Sequence, residues 1–345
     1  MQNSSTPPFP TILLCITEDW FALSHFRPLI QVLRTLSGRL VVATNVGEGR
    51  AALEALGAEV RPFDFSRAPP RRTVYHLTGA GFLVTGTSLA SRVLKPVALT
   101  IVRAALARPA AQLFVENPDD RDLICGTRDA LRARVRIIPG AGVEPEAFPA
   151  MPPTGNARPV AAYVGRMLRS KGVHVLAEAA RKLHSDGVAV DVHLHGPTDD
   201  NPESIPPAEL DRWGGTDGAP DWRGRTGDVA GVWRHSDICV MAPLVREGMP
   251  RAMLEAASCG RPLVVSDVAG CRHFVADGVN GLVVPPGNAD ALADAIRRLA
   301  ENQDLAQKLG AAARQKLVAE YSADAVRAAI RAAYEMTAHD PKSKG

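Results

Sequence analysis

Short apolar runs and helical stripes alternate along this chain. Thr11–Thr17 (TILLCIT) is an unbroken apolar run rich in β-formers and predicts a buried parallel strand. Behind it, Phe26, Leu29, Ile30 and Leu33 fall at helical spacing, which predicts a helix over His25–Leu36 with Ser24 as its cap. Arg39–Thr44 reads as a second strand, Arg50–Leu56 as a helix closed by Gly57, and Glu59–Phe63 as a third strand. The order βαβαβ is that of a doubly wound sheet. The rhythm then breaks at the proline- and arginine-rich Arg67–Arg72, and Tyr75–Thr87 is rich in glycine. It resumes with a helix over Ser91–Leu106, Pro96 lying near its start. Strands follow at Gln112–Glu116 and Val135–Ile138, with a helix between them around Asp119–Leu131.

Met151–Pro159 (MPPTGNARP) has the composition of a linker, and a second alternation follows it. Strands are expected at Val160–Val164, Val190–Leu194, Asp237–Met241, Pro262–Ser266 and Gly281–Val284. Helices are expected at Gly172–Asp186 and Arg251–Ser258, and Asp199–Gly218 reads as a long polar loop. Three helical stretches, Ala289–Glu301, Leu305–Glu320 and Ala323–Met336, end the chain. The pattern predicts an α/β chain of two Rossmann-like, doubly wound domains facing across a cleft. They would span residues 1–150 and 159–322, with ligands at the carboxyl ends of the strands.

Composition narrows the function. The chain has 345 residues, 46% of them hydrophobic, enough for two cores. A net charge of +3 is too small to argue for nucleic acid. Residues 1–150 are mildly basic, with 17 Lys/Arg against 13 Asp/Glu. That excess reads either as ordinary solvated surface or as contact with an anionic membrane or a phosphorylated acceptor. Val93–Ala107, apolar with Lys95 and Arg103, likewise reads as core packing or as a segment dipping into a membrane interface. The five cysteines have no CxxC spacing and suit a reducing compartment. The N-terminus has no basic leader region, and no apolar run reaches the length of a membrane span. The expectation is a cytoplasmic protein that touches a membrane at most peripherally.

Two motifs carry chemistry. Gly165-Arg166-Met167-Leu168-Arg169-Ser170-Lys171-Gly172 follows a buried strand and opens a helix. A guanidinium and an ammonium at a helix N-terminus suit a diphosphate, although a solvated basic loop has the same composition. Glu247-Gly248-Met249-Pro250-Arg251-Ala252-Met253-Leu254-Glu255 joins a strand to a helix expected to begin near Pro250. Its Gly248 and Met249 amides could receive phosphate or sugar oxygens. Glu255, between Leu254 and Ala256, needs hydrogen-bond partners that a ribose diol would supply, and Glu247 could accept from sugar hydroxyls. A capping acid and a structural ion pair are the alternatives. Gly79-Ala80-Gly81 begins a GxGxxG that fails at Val84, and HExxH, GxSxG and the P-loop are absent. His193-Leu194-His195 alternates on a strand without further metal ligands nearby in sequence.

GRMLRSKG at 165–172 and REGMPRAMLEAASCGRPLVVSDVAGCRHFVADGVNGLVVPPGNADALADAI at 246–296 resemble the retaining family 4 glycosyltransferases of the GT-B fold. TEDWFALSHFRPL, LTGAGF, FVENPDD and PGAGVEPEAF resemble the subgroup that builds capsule, exopolysaccharide and lipid-linked oligosaccharides. The resemblance implies transfer from a nucleotide-sugar, a UDP-sugar in this subgroup, to a polyprenyl-diphosphate-linked or oligosaccharide acceptor. It implies no metal and no cofactor. Arg166 and Lys171, after Gly165, would hold the diphosphate, and Glu255 the ribose. Glu247 with Gly248, Met249 and Pro250 would position the sugar. His195-Gly196 and Trp222-Arg223-Gly224 fall where the family places its base-pocket loops. The last helix, residues 323–338, would cross back onto the first domain. One departure stands out: between Phe65 and LTGAGF a strand–helix unit of roughly 30 residues is missing, so the N-terminal domain is shortened. The histidine lining the sugar pocket in relatives then has no clear counterpart; His76 or His25 could substitute, and a structural or surface histidine is the alternative reading of each. An epimerase of the same fold and a degenerate nucleotide-sugar-binding protein are the alternative readings.

Overall fold

The computed structural model describes residues 7–19, 22–23, 26–62, 73–77, 89–108, 111–140, 142–214 and 217–338. Ser24 and His25, the expected cap and one candidate histidine, lie outside them, as does the segment 78–88. By their contacts the residues divide into two units. The first comprises Met1–Thr78, Val93–Gly142 and Tyr321–Gly345; the second comprises Gly79–Arg92 and Val143–Glu320.

The first unit begins with β1 (Phe9–Glu18), α1 (Arg27–Leu36), β2 (Ser37–Asn45), α2 (Arg50–Ala55) and β3 (Glu59–Pro62). The apolar stripe seen in sequence is the face that α1 buries: Leu29, Ile30 and Leu33 are at most 2% exposed. Gly57 ends α2 with a φ of 81°, which a side chain rarely adopts. Next come β4 (Thr73–Leu77), α3 (Leu89–Leu106), β5 (Ala111–Val115), α4 (Pro118–Cys125), α5 (Asp129–Arg132) and β6 (Val135–Ile137). The single helix expected around residues 119–131 is two, because Gly126 adopts a φ of 55° between them. Asn117 caps α4, its side chain accepting from the Asp120 amide at 2.9 Å.

All pairings in this unit are parallel, yet its strands form two three-stranded sheets, β1-β2-β3 and β4-β5-β6. Among the described residues no pairing joins β1 to β4. Residues 63–72, where the sequence departs from the family pattern, lie outside the described residues.

The second unit carries β7 (Val160–Val164), a 3₁₀ turn (Arg169–Lys171), α6 (Val173–Ser185), β8 (Asp191–His195), α7 (Pro207–Gly214), β9 (Asp221–Trp222), α8 (Val229–His235) and β10 (Ile238–Met241). It continues with α9 (Arg251–Ser258), β11 (Leu263–Ser266), α10 (Cys271–Phe274), β12 (Leu282–Val284), α11 (Ala289–Ala300) and α12 (Gln303–Lys316). Its six parallel strands run β12-β11-β10-β7-β8-β9. Helix α7 lies inside the expected polar loop; it buries only Leu210, too little for a visible periodicity. After a π-type turn (Leu317–Tyr321), α13 (Ala323–Ala338) belongs to the first unit. It packs on α1, with Arg327 donating to Gln31 at 3.0 Å and Arg331 to Thr35 at 2.8 Å.

Candidate functional site

Strand order in the second unit reverses between β7 and β10: the chain leaves β7 toward β8 and β9, and leaves β10 toward β11 and β12. Such a switch point parts the loops at the carboxyl ends of neighbouring strands and opens a crevice there. Both motifs emerge at it. The loop after β7 carries Gly165, Arg166 and Lys171; the loop after β10 carries Glu247, Gly248, Met249 and Pro250. Lys171 Nζ meets Glu247 Oε1 at 2.6 Å across the switch point, the two side chains 26% and 11% exposed. Arg166 pairs with Asp199 at 3.1 Å and leaves half its side chain in solvent. The buried Tyr163 hydroxyl donates to the Arg166 carbonyl at 2.9 Å, fixing the backbone at the start of the loop.

Pro250 is the N-cap of α9 rather than its first helical residue, with φ −61° and ψ 116°. Glu255 lies one turn into that helix and is 7% exposed, flanked by the fully buried Leu254 and Ala256. Arg251 Nε donates to Glu255 Oε1 at 2.7 Å. Burial raises the Glu255 carboxyl above its ordinary value, and the bond from Arg251 opposes that rise only in part. A further pair of donors, such as vicinal hydroxyls, would stabilise its charged form.

The loops after β8 and β9 meet. The Gly196 amide donates to the Gly224 carbonyl at 2.7 Å, and Trp222 Nε1 donates to the Gly196 carbonyl at 3.0 Å. His195 is lowered to about 4, chiefly by burial and then by His193 and Arg223, so it is neutral at pH 7. The structure therefore brings His195, Gly196, Trp222 and Gly224 together on one side of the switch point. Lys171, Glu247 and the α9 residues meet at the switch point itself.

Three glycines set how closely these loops pack, each in the left-handed φ region. A Cβ on Gly172 (φ 72°) would fall 1.8 Å from the Ala242 carbonyl oxygen. On Gly196 (φ 147°) it would fall 1.7 Å from the Gly165 oxygen, and on Gly270 (φ 76°) 1.7 Å from the Gly248 oxygen. Every one of these is a backbone-to-backbone approach that a side chain would prevent. Gly270 was not singled out by sequence reasoning. Its signal is a glycine directly before a helix at the carboxyl end of β11. Next to it, the fully buried Cys271 has its thiol raised by burial and by Glu247.

His76 lies in the first unit, on β4, whereas the other candidate residues lie in the second. Its Nε2 is 2.9 Å from the Tyr334 hydroxyl of α13, and its ring meets Phe26 and Phe114 edge-on at 6.1 and 5.1 Å. Burial among these rings lowers it to about 4. A small solvent-open pocket adjoins it, lined also by Leu29, Glu116 and Ile330.

Residues 158–302 match the family model described as glycosyl transferases group 1. These residues are a group 1 glycosyltransferase domain. Every donor-site candidate named above falls within the domain, as does Gly270. Over 260 residues the chain is 29% identical to an alpha-D-kanosaminyltransferase of Streptomyces kanamyceticus, covering 69% of this chain and 64% of that protein. Over 160 residues it is 32% identical to an N,N'-diacetylbacillosaminyl-diphospho-undecaprenol alpha-1,3-N-acetylgalactosaminyltransferase of Campylobacter jejuni, covering 46% of this chain and 40% of that protein. The chain thus spans less than two thirds of these curated relatives. Among solved structures, Anabaena HepE in complex with UDP superposes with a TM-score of 0.75 at 16% identity, covering 95% of this chain and all of that one. A glycosyltransferase of Rickettsia africae superposes at 0.72 with 16% identity, covering 95% and 98%. Such low identities speak for the fold, and the fold is the α/β GT-B class.

Proposed function

We propose that the protein is a retaining, metal-independent glycosyltransferase that moves a sugar from a UDP-sugar to a lipid-linked or oligosaccharide acceptor in cell-surface polysaccharide synthesis. The observation that carries this reading is the Lys171–Glu247 pair, closed at 2.6 Å across the switch point with Glu255 on the adjoining helix. A diphosphate entering there would take over the Lys171 ammonium and the Arg166 guanidinium, and would release Glu247 to accept from the hydroxyls of the transferred sugar. Breaking the anomeric carbon–oxygen bond places negative charge on the departing phosphate. The two cations stabilise that charge where it develops, in a site organised beforehand. The acceptor hydroxyl then attacks from the side the phosphate leaves, and its proton passes to a phosphate oxygen. The bond formed replaces the bond broken with the same configuration.

UDP in the Anabaena neighbour and an undecaprenol-diphosphate sugar in the name of the Campylobacter relative support the choice of donor and acceptor classes. One observation favours a second reading, binding without turnover: among the described residues no pairing joins β1 to β4, and the first unit's strands form two sheets. Incubation with UDP-sugars and polyprenyl-diphosphate sugars, with the product anomer read by NMR, tests the proposal. An α-linked product from an α-linked donor, formed equally in the presence of EDTA, is expected. An inverted product or loss of activity in EDTA would overturn it, and UDP binding without any product would favour the second reading.

A further inference from the structure

Arg251 opens α9, and local helix energetics do not explain it. A cation in the first turn opposes the helix dipole, and an arginine one turn before a glutamate is the weaker order for such a pair. What it meets explains it better. Arg251 Nε donates to Glu255 Oε1 at 2.7 Å, and the Glu255 side chain is 9% exposed against 38% for Arg251. Exposed ion pairs contribute little, whereas a carboxylate this deep loses its charge unless a neighbour favours the charged form.

Arg251 is that neighbour. Of the elements packed on α9, β10 brings Cys239, whose thiol is pushed up by burial and stays uncharged, and β11 brings no titratable side chain. Cys259, directly after the helix, is raised to about 11. Arg314 of α12 faces the far end of α9, donating to the Ser258 carbonyl. Among the described residues, Arg251 is the one charged group that acts on Glu255. The pair also divides the carboxylate. Oε1 is taken by Arg251, and Oε2 has no hydrogen-bond partner among the described residues.

We propose that Arg251 is a positioning residue for ribose recognition: it engages one oxygen of Glu255 and presents the other to the vicinal hydroxyls of a nucleotide, setting how strongly a ribonucleotide is preferred over one without them. The inference rests on the reading of this site as a UDP-sugar donor site. Without the guanidinium, burial acts on the carboxyl unopposed, and the charged form is reached only at higher pH. A protonated carboxyl has less capacity to accept from two hydroxyls. Loss of the ribose preference on acidification therefore begins at a higher pH in a variant without the guanidinium than in wild type.

The test is calorimetric titration of UDP and of 2′,3′-dideoxyuridine diphosphate, between about pH 5 and 8, into wild type, Glu255→Ala and three Arg251 variants. Wild type should prefer UDP, and Glu255→Ala should not. Arg251→Met should bind UDP about tenfold more weakly at the acidic end, bind the dideoxy nucleotide as wild type does, and recover its preference as pH rises. Arg251→Lys, which keeps a cation, should restore most of the preference. Arg251→Gln removes the charge while keeping a polar side chain at this partly exposed position, so early melting of Arg251→Met does not end the test. A structural role alone would weaken both nucleotides alike at every pH. That result, or neutral variants with the wild-type preference at every pH, would overturn the inference and leave the donor site standing. No preference for UDP in wild type would overturn the donor-site reading and the inference with it.

Discussion

Gly270→Ala is the substitution whose consequence can be worked furthest. Its Cβ would stand 1.7 Å from the Gly248 carbonyl oxygen and 3.0 Å from that of Glu247. Restoring even a 3.0 Å contact requires the Gly248 carbonyl to retreat by about 1.3 Å, since neither partner is the free end of a side chain. The loop that retreats is the one holding Glu247 at 2.6 Å from Lys171 and aiming the Gly248 and Met249 amides. A misplacement of about 1 Å costs on the order of 10²-fold in rate where geometry is what a site supplies. The positive φ adds roughly 1–2 kcal/mol of backbone strain for any residue with a Cβ. Gly278→Ala separates the two effects: its φ is 69°, and a Cβ there meets nothing within 4 Å. Both variants should melt earlier than wild type. Only Gly270→Ala should lose about 10²-fold in UDP-sugar turnover, with UDP affinity falling less because Glu255 and the Gly196 loop are untouched. Calorimetry, turnover and melting on the two variants together make the assay. Turnover by Gly270→Ala within threefold of wild type, or an equal loss in Gly278→Ala, would refute the reasoning.

Other outcomes follow from the same site. Glu255 has a raised folded value, so the nucleotide-free protein binds this proton more readily than the unfolded chain. Stability therefore falls as pH rises from the ordinary carboxylate value through the raised one. Ribose hydroxyls would favour the charged form, so UDP binding just above pH 4.5 should release a proton, visible as a buffer-dependent calorimetric enthalpy and absent in Glu255→Gln. His76 is lowered from 6.5 to about 4, so stability should be lost as pH falls across that window, and His76→Phe/Tyr334→Phe should abolish the dependence. Tyr334 is 5% exposed, so His76→Phe alone leaves its hydroxyl unpaired and should cost about 1–3 kcal/mol in chemical denaturation. The double variant should recover most of that loss; a His76→Phe protein of full stability that has lost turnover would instead place the imidazole in the chemistry.

The elements with strong apolar runs were readable from sequence. β2, β7 and β10 are runs of buried aliphatic residues, whereas β1, expected to be buried, alternates at the sheet's edge with Leu14 and Ile16 buried and Leu13 47% exposed; α1 and α6 show clean stripes because each buries one face. β4 was hidden, because TVYHL alternates with polar residues and its four characterised positions are only half-buried. Helices α7 and α8 were missed because each buries one or two side chains. The candidate residues Arg166, Lys171, Glu247 and Glu255 stand out in the sequence because their types and spacing are unusual in a strand–loop–helix setting. What sequence could not give is the pairing among them. Arg166 with Asp199, Arg251 with Glu255, and the approach of Gly270 to Gly248 join residues whose proximity is set by the sheet order rather than by any local pattern.

The central claim is a nucleotide site built from the loops at the β7–β10 switch point. Calorimetric titration of UDP, GDP and ADP into wild type and Glu255→Ala tests it most directly. The account predicts saturable binding of UDP in preference to the purine nucleotides, weakened at least tenfold in Glu255→Ala. No binding of any nucleotide to a folded wild-type protein, or UDP binding unchanged by Glu255→Ala, would contradict it.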